Sequence, residues 1–188
     1  LSDGSRLSGF RVEALLPFAI VASAAVLFAS ELMTTFEFTP PGGEPLADQG
    51  AGDRHYYAQM VLAAFAVLAM VVALSTGSKP AATAVAACGV IALMIFLLLD
   101  LPDANSIGTL DDPRQNFFEA EAIPQAGFWL ELTGALGLAL SGAALATLTS
   151  EQISSLRPGR RRDAQRDART SPPAPSPSPR TGAKSESG

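Results

Sequence analysis

Four apolar blocks, each about as long as a lipid bilayer is thick, govern what this chain can become. They cover about residues 12–33, 57–76, 80–100 and 126–148. A helix of about 20 apolar residues rises ~30 Å and matches the hydrocarbon core of a membrane. Inside that core every backbone polar group must be satisfied internally, which leaves helices as the form such blocks can take. Although 188 residues would suit one soluble domain, blocks this long and this apolar do not belong in one. The expected fold is therefore all-α: an integral membrane four-helix bundle, left-handed, with two extracytoplasmic loops and a disordered C-terminal tail. The segments expected are a cytoplasmic N-terminal stretch (1–11), a transmembrane domain (12–150) and a tail (151–188).

Local signals refine each element. Pro17 falls in the opening turns of the first block, where proline is tolerated. Because Arg6 and Arg11 precede this block, a cleaved signal peptide is the competing reading, which would leave three spans. The sequence opens on Leu1 and not on Met, so residues upstream are also an expectation. Between the second and third blocks lies only STGSKP, a tight turn closed by Pro80. So short a link forces the two helices to be antiparallel neighbours.

The two longer loops carry different signals. The first holds PPGGEPLADQGAGD, turn-rich and expected to hold no helix. It opens on the alternating Thr34–Thr39, a strand candidate. In the second loop Ser106–Leu110 is a strand candidate able to pair with the first, and Gln115–Ala122 reads as a short surface helix.

Charge sets orientation. Cytoplasmic flanks of spanning helices carry excess Lys and Arg. With both termini inside, eleven of the 13 basic residues are inside: Arg6, Arg11, Lys79 and eight in the tail. Only Arg54 and Arg114 fall outside, in loops rich in Asp and Glu. The expected location is the cell membrane, multi-pass, with N- and C-termini cytoplasmic. Tyr56, Tyr57, Phe128 and Trp129 fall at the outer interface, where amphipathic aromatics collect. The tail is too polar and proline-rich to bury a core. Its Arg157, Arg160, Arg161, Arg162 and Arg166 are placed to meet anionic lipid headgroups, besides acting as an orientation signal.

Few residues could carry chemistry. Glu131 lies about five residues into the fourth block, and an ionisable group at that depth is costly. At 100° per residue, Gly127, Glu131, Gly134, Gly137 and Ser141 share one arc of the helix. Small residues there admit a second helix at close range, so Glu131 is expected to face protein. Glu31 and Asp100 end the first and third blocks and lie at the same membrane level as Glu131. Such a ring could gather a cation, a proton or an amine. It could equally be three ordinary helix-end acids. Glu31 and Asp100 stand at helix C-termini, where the dipole disfavours negative charge. They should therefore have partners, drawn from Arg54, His55 or Arg114.

His55 is the only histidine. Beside two tyrosines it reads first as a surface residue, with a proton or ligand role second. A single cysteine, Cys88, inside an apolar block reads as a packing residue. No metal site is expected, because no Cys/His pair has ligand spacing and a hard-cation site would need the acidic loops to converge. No cofactor is expected either, and the sequence has no GxSxG, HExxH, GxxxxGK[ST] or GxGxxG motif.

LLLDLPDANSIGTLDD at 97–112, followed by AGFWLELTGALGLALSG at 126–142, resembles small four-span actinobacterial membrane proteins without an assigned activity. The resemblance covers about residues 12–148 and implies a four-span plan but no function. The plan is also similar in outline to claudin-like proteins, although the tryptophan and paired cysteines of the first claudin loop are absent. The function expected is a non-enzymatic accessory or scaffold subunit. Its partners would be the bilayer and a membrane protein or second copy, with no nucleic acid. The alternatives are a small oligomeric transporter or channel using the outer carboxylates, and a sensor signalling through the tail.

Overall fold

A computed structural model of the chain describes residues 15–156, apart from 46, 113 and 114. Four long helices dominate it: α1 (Leu16–Ser30), α3 (Ala58–Thr76), α4 (Lys79–Ile95) and α5 (Ala126–Thr147). Two short helices accompany them, α2 (Ala51–His55) and α6 (Ser150–Ser155). A π-turn, Phe96–Asp100, and a 3-10 turn, Leu101–Asp103, prolong α4. Three of these units are long and apolar enough to cross a membrane: Ala58–Thr76, Lys79–Asp103 and Ala126–Thr147. The apolar α1 has 15 residues, shorter than the 12–33 expected. Residues 12–14 lie outside the described ones.

The long helices pack in a ring, α1 against α3, α3 against α4, α4 against α5 and α5 against α1. Their contact faces consist of small side chains, including Ala24, Ala63, Ala66, Ala73, Val85 and Ala92. Glycine brings the backbones closer still. A Cβ on Gly134 would stand 2.7 Å from the Leu27 backbone of α1, and one on Gly142 2.7 Å from the Ala86 backbone of α4. The outward faces are apolar as well: Phe18, Val61, Phe65, Leu68, Ile91 and Leu140 are exposed. A helix apolar on every side belongs in a lipid-like surrounding or a large core.

Helix ends follow the sequence signals. The α3–α4 link is the pair Gly77–Ser78. Gly77 takes the left-handed conformation (φ 69°) that glycine tolerates best. The Ser78 side chain accepts the Ala81 N–H, with Pro80 in the first turn of α4. Lys79 Nζ reaches across to donate to the Ala146 and Leu148 carbonyls, at the end of α5.

Both long loops meet in one four-stranded antiparallel sheet, which corrects the all-α expectation. It is built from β1 (Thr34–Thr39), β2 (Ala47–Gly50), β3 (Ile107–Asp112) and β4 (Gln115–Pro124), in the order β2-β1-β4-β3. Strand β1 falls where the alternation predicts it. The expected surface helix over Gln115–Ala122 is strand β4. Its Glu and Ala residues favour a helix locally, but pairing on both edges overrides that preference. The two candidate strands, β1 and β3, do not pair with each other, because β4 lies between them. Phe36 of β1 sits 5.6 Å from Phe128 of α5, and Phe128 sits 4.8 Å from Phe96. These rings are buried and fasten the sheet to the helix ends. Phe128 is thus a core residue, unlike the exposed Tyr56, Tyr57 and Trp129.

Two boundaries also move. The first loop does hold a helix, α2, begun where Ala51 N bonds to Met33 O and Gly52 N to Glu31 O. The tail does not begin at 151. Thr149 and Gln152 form a reciprocal capping box, and Ile153 is buried in the core, so α6 belongs to the fold. The arginines from Arg157 onward, Arg160, Arg161, Arg162 and Arg166 among them, lie outside the described residues.

Candidate functional site

Every long helix delivers one polar side chain to a single buried point beneath the sheet. Glu31 is the C-cap of α1, Gln59 lies in the first turn of α3, Asp100 ends the π-turn after α4, and Glu131 lies in the second turn of α5. Short α2 lays Arg54 and His55 across them. Glu131 and Asp100 are 0% exposed, Gln59 0%, Glu31 3% and His55 6%.

Backbone geometry makes this convergence possible. Tyr56 and Tyr57 are both left-handed (φ 52° and 59°), which ends α2 and starts α3 in a new direction. A non-glycine residue there costs about 1–2 kcal/mol, and such strain concentrates at functional sites. The reversal turns His55 inward while Tyr56 stays exposed. The π-turn does similar work on α4. The Leu101 N–H bonds to the Phe96 carbonyl, five residues back, and Asp100 is carried inward. Gly127 lets α5 start against β1, since a Cβ there would stand 2.6 Å from the Thr34 carbonyl oxygen.

The contacts form one network. The Gln59 backbone N–H donates to Glu31 Oε1 at 3.1 Å, and its side-chain amide donates to Glu131 Oε1. His55 Nε2 lies 2.9 Å from Asp100 Oδ2 and 3.8 Å from Glu131 Oε1. Arg54 pairs through Nε with Asp100 Oδ1 at 2.7 Å, through its terminal nitrogens with Asp103 and the Leu99 carbonyl, and stacks over Phe36. Glu31 Oε2, Gln59 Oε1, Glu131 Oε2 and His55 Nδ1 of the network are buried with no hydrogen-bond partner, and Arg54 Nε and Asp100 Oδ1 meet only as an ion pair. Of the three buried carboxylates only Asp100 pairs with the Arg54 guanidinium, which also meets Asp103, so Glu31 and Glu131 have no guanidinium or ammonium partner. Keeping such charges out of water requires a proton or a cation.

The network opens to one side. A cleft of about 350 Å³ meets it at Glu31 and is lined besides by Thr34, Asp48, Gly50, Asp53 and Tyr57. Below the network the surroundings change. One turn deeper on each long helix the inward residue is apolar: Leu27, Ala63, Phe96 and Ala135, all buried.

The expected polar set of Glu131, Glu31, Asp100 and His55 is brought together. His55 is buried, not a surface residue, because α2 folds back over the helix ends. Arg54 and His55 partner Asp100 as the helix-dipole argument requires, whereas Arg114 lies outside the described residues. On this arc of α5 a Cβ at Gly134 would meet Leu27 and one at Gly137 would meet Ser23, both of α1, while Ser141 Oγ donates to the Gly137 carbonyl within α5. Sequence reasoning missed Gln59, the hub between two acids, and the second seam at Gly89 and Gly142. A signal for Gln59 was present, since it is the one amide inside the second apolar block.

Comparison of the chain with protein-family models, curated proteins and solved structures finds no match, so the actinobacterial resemblance gains no support from it. The fold and site define a small, mostly helical protein with helices fit to cross a bilayer. At one end, under a four-stranded cap, it encloses a carboxylate–imidazole network.

Proposed function

We propose that the chain is a four-span protein of the cell membrane with both termini cytoplasmic, a non-enzymatic accessory subunit whose extracytoplasmic cap is set by a cation or proton held in the buried network. The observation that carries this reading is the charge imbalance: Glu31, Asp100 and Glu131 are buried together, only Asp100 is paired with a guanidinium, and Glu31 and Glu131 each keep an unpartnered oxygen. The split of basic residues and the apolar outward faces support four spans. Retention of α1 as a span is supported by its contacts, since Leu27 and Glu31 complete the packing around Gly134 and Gln59. Transport through the bundle fits less well. A cation leaving the network inward meets Leu27, Ala63, Phe96 and Ala135, none of which offers a polar side chain.

The test uses purified full-length protein in proteoliposomes. A ligand at 100 times its Kd stabilises the folded state by about 2.7 kcal/mol. The wild type should therefore gain several degrees in Tm across a panel of cations and pH values, and Glu131→Gln should lose most of that gain. Neither protein should carry the stabilising ion across the bilayer. Flux abolished by Glu131→Gln would move the protein to the transporter class. A Tm indifferent to every cation and to pH would remove the binding reading.

A further inference from the structure

The geometry points to a divalent transition-metal site, with His55 Nε2, Asp100 and Glu131 as its protein ligands. This rests on the reading that the network holds a positive charge, and narrows it to one chemical class.

Three separate observations converge. The first is spacing. One donor atom from each of the three residues lies within 4.8 Å of the others. The His55 nitrogen stands 2.9 Å from Asp100 Oδ2 and 3.8 Å from Glu131 Oε1. Nitrogen and oxygen ligands bind zinc at about 2.0–2.2 Å, which puts neighbouring ligands about 3–3.5 Å apart. Side-chain movements of about 1 Å would bring the set to that spacing.

The second observation is a hydrogen-bond deficit that extends beyond the ligand set. Glu31 Oε2, Gln59 Oε1 and Glu131 Oε2 are three buried acceptor oxygens with no donor. Native interiors leave few such atoms, and each calls for a partner. All three lack the same thing, a positive centre, and Glu31 or Gln59 could fill the open coordination position.

The third is charge. Among the buried groups, Glu31, Asp100 and Glu131 against Arg54 leave two negative charges, which one divalent cation cancels when His55 binds as the neutral imidazole; Asp103, also on Arg54, is half-exposed to solvent. Arg54 then acts from outside the coordination sphere. Its Nε holds Asp100 Oδ1, leaving Oδ2 for the metal. Metal-binding carboxylates are commonly oriented by such a partner. One imidazole with carboxylates favours zinc, manganese or iron(II) over magnesium and calcium, which prefer all-oxygen sets. Access is through the cleft, where Asp48 and Asp53 lead to Glu31.

The experiment is equilibrium dialysis of chelator-stripped, full-length protein in detergent against zinc, manganese or cobalt(II), with metal counted by elemental analysis. One equivalent should bind per chain, and cobalt should develop a ligand-field absorption spectrum that zinc bleaches. His55→Gln should weaken binding by 100-fold or more and remove the spectrum. Glu131→Gln should do the same, while the Asp48→Asn/Asp53→Asn double variant keeps the stoichiometry and slows uptake severalfold. If a substitution at His55 or Glu131 prevents folding, the wild-type spectrum still decides, because histidine ligation shifts it from that of aqueous cobalt. A protein whose Tm responds to sodium or to acid, but which binds none of the three metals, overturns this proposal and leaves the broader reading standing. A protein that responds to nothing overturns both.

Discussion

Glu131 is held with no exposed surface in the second turn of α5, and a carboxylate kept from water is costly unless it is paired or hydrogen-bonded. It is kept there by residues that let the helices close around it, and the glycines have the sharpest consequences. At Gly89 an added Cβ would stand 2.5 Å from the Ala139 Cα, and at Gly142 2.7 Å from the Ala86 nitrogen. Backbone atoms cannot turn aside, so the helices themselves must separate. Gly89→Ala and Gly142→Ala should each destabilise the protein by about 1–3 kcal/mol, the usual cost of overpacking. Gly137→Ala provides the contrast. There the nearest atom is the Ser23 hydroxyl, the end of a side chain that can rotate. With about 1 kcal/mol gained in helix propensity, that variant should match or exceed the parent. Thermal denaturation of the three variants in one detergent checks the ranking. Equal stability at Gly89 and Gly137 would mean that α4 and α5 are not in backbone contact.

At the scale of elements, the π-turn at Phe96–Asp100 decides whether a site exists. A π-turn amounts to one residue inserted into an α-helix, and such insertions gather at functional positions. Inserting one alanine after Leu98, which is exposed, would add a residue that the π-turn does not absorb and rotate Asp100 by about 100° away from His55. The insertion should abolish cation-dependent stabilisation while leaving membrane insertion intact, as followed by Tm shift and by membrane fractionation. Retained cation response would show that Asp100 is dispensable.

The same elements show how far sequence could reach. The membrane-length apolar helices α3, α4 and α5 and strand β1 were legible because length and periodicity are local properties. Glu31, Asp100 and Glu131 were legible as one level because helix length alone sets their depth. Strand β4 was not, since its Glu and Ala residues favour a helix until β1 and β3 flank them. Nor was the burial of His55, which depends on two successive left-handed tyrosines that no composition signal marks. Gln59 joins the site through contacts with Glu31 and Glu131, 28 and 72 residues away in sequence.

On the scale of the whole molecule, the cap and the network lie at one end and the α3–α4 turn at the other. Helix α3 has 19 residues and spans about 28 Å. Gln59 begins it, and Ser75 and Thr76 end it, so the polar network and the Lys79 turn are separated by roughly a bilayer's hydrocarbon thickness. Proposed orientation then makes a direct prediction about which residues water reaches from which side. Glu44 and Glu119 are exposed on the cap, and Ser75 is exposed at the opposite end. Cys88, the only native thiol, is buried and can be removed as Cys88→Ala to give a silent background. In that background Glu44→Cys and Glu119→Cys should react with a membrane-impermeant maleimide on intact cells. Ser75→Cys should react only after permeabilisation. The opposite pattern would invert the protein and place the network on the cytoplasmic side, where its cation would come from the cell interior. Labelling of all three sites in intact cells would mean that the helices do not cross the membrane. Both loops must label alike in either orientation, because β1 and β4 join them in one sheet. A split result between Glu44→Cys and Glu119→Cys would therefore contradict the sheet itself, and with it the closed cap over the buried carboxylates.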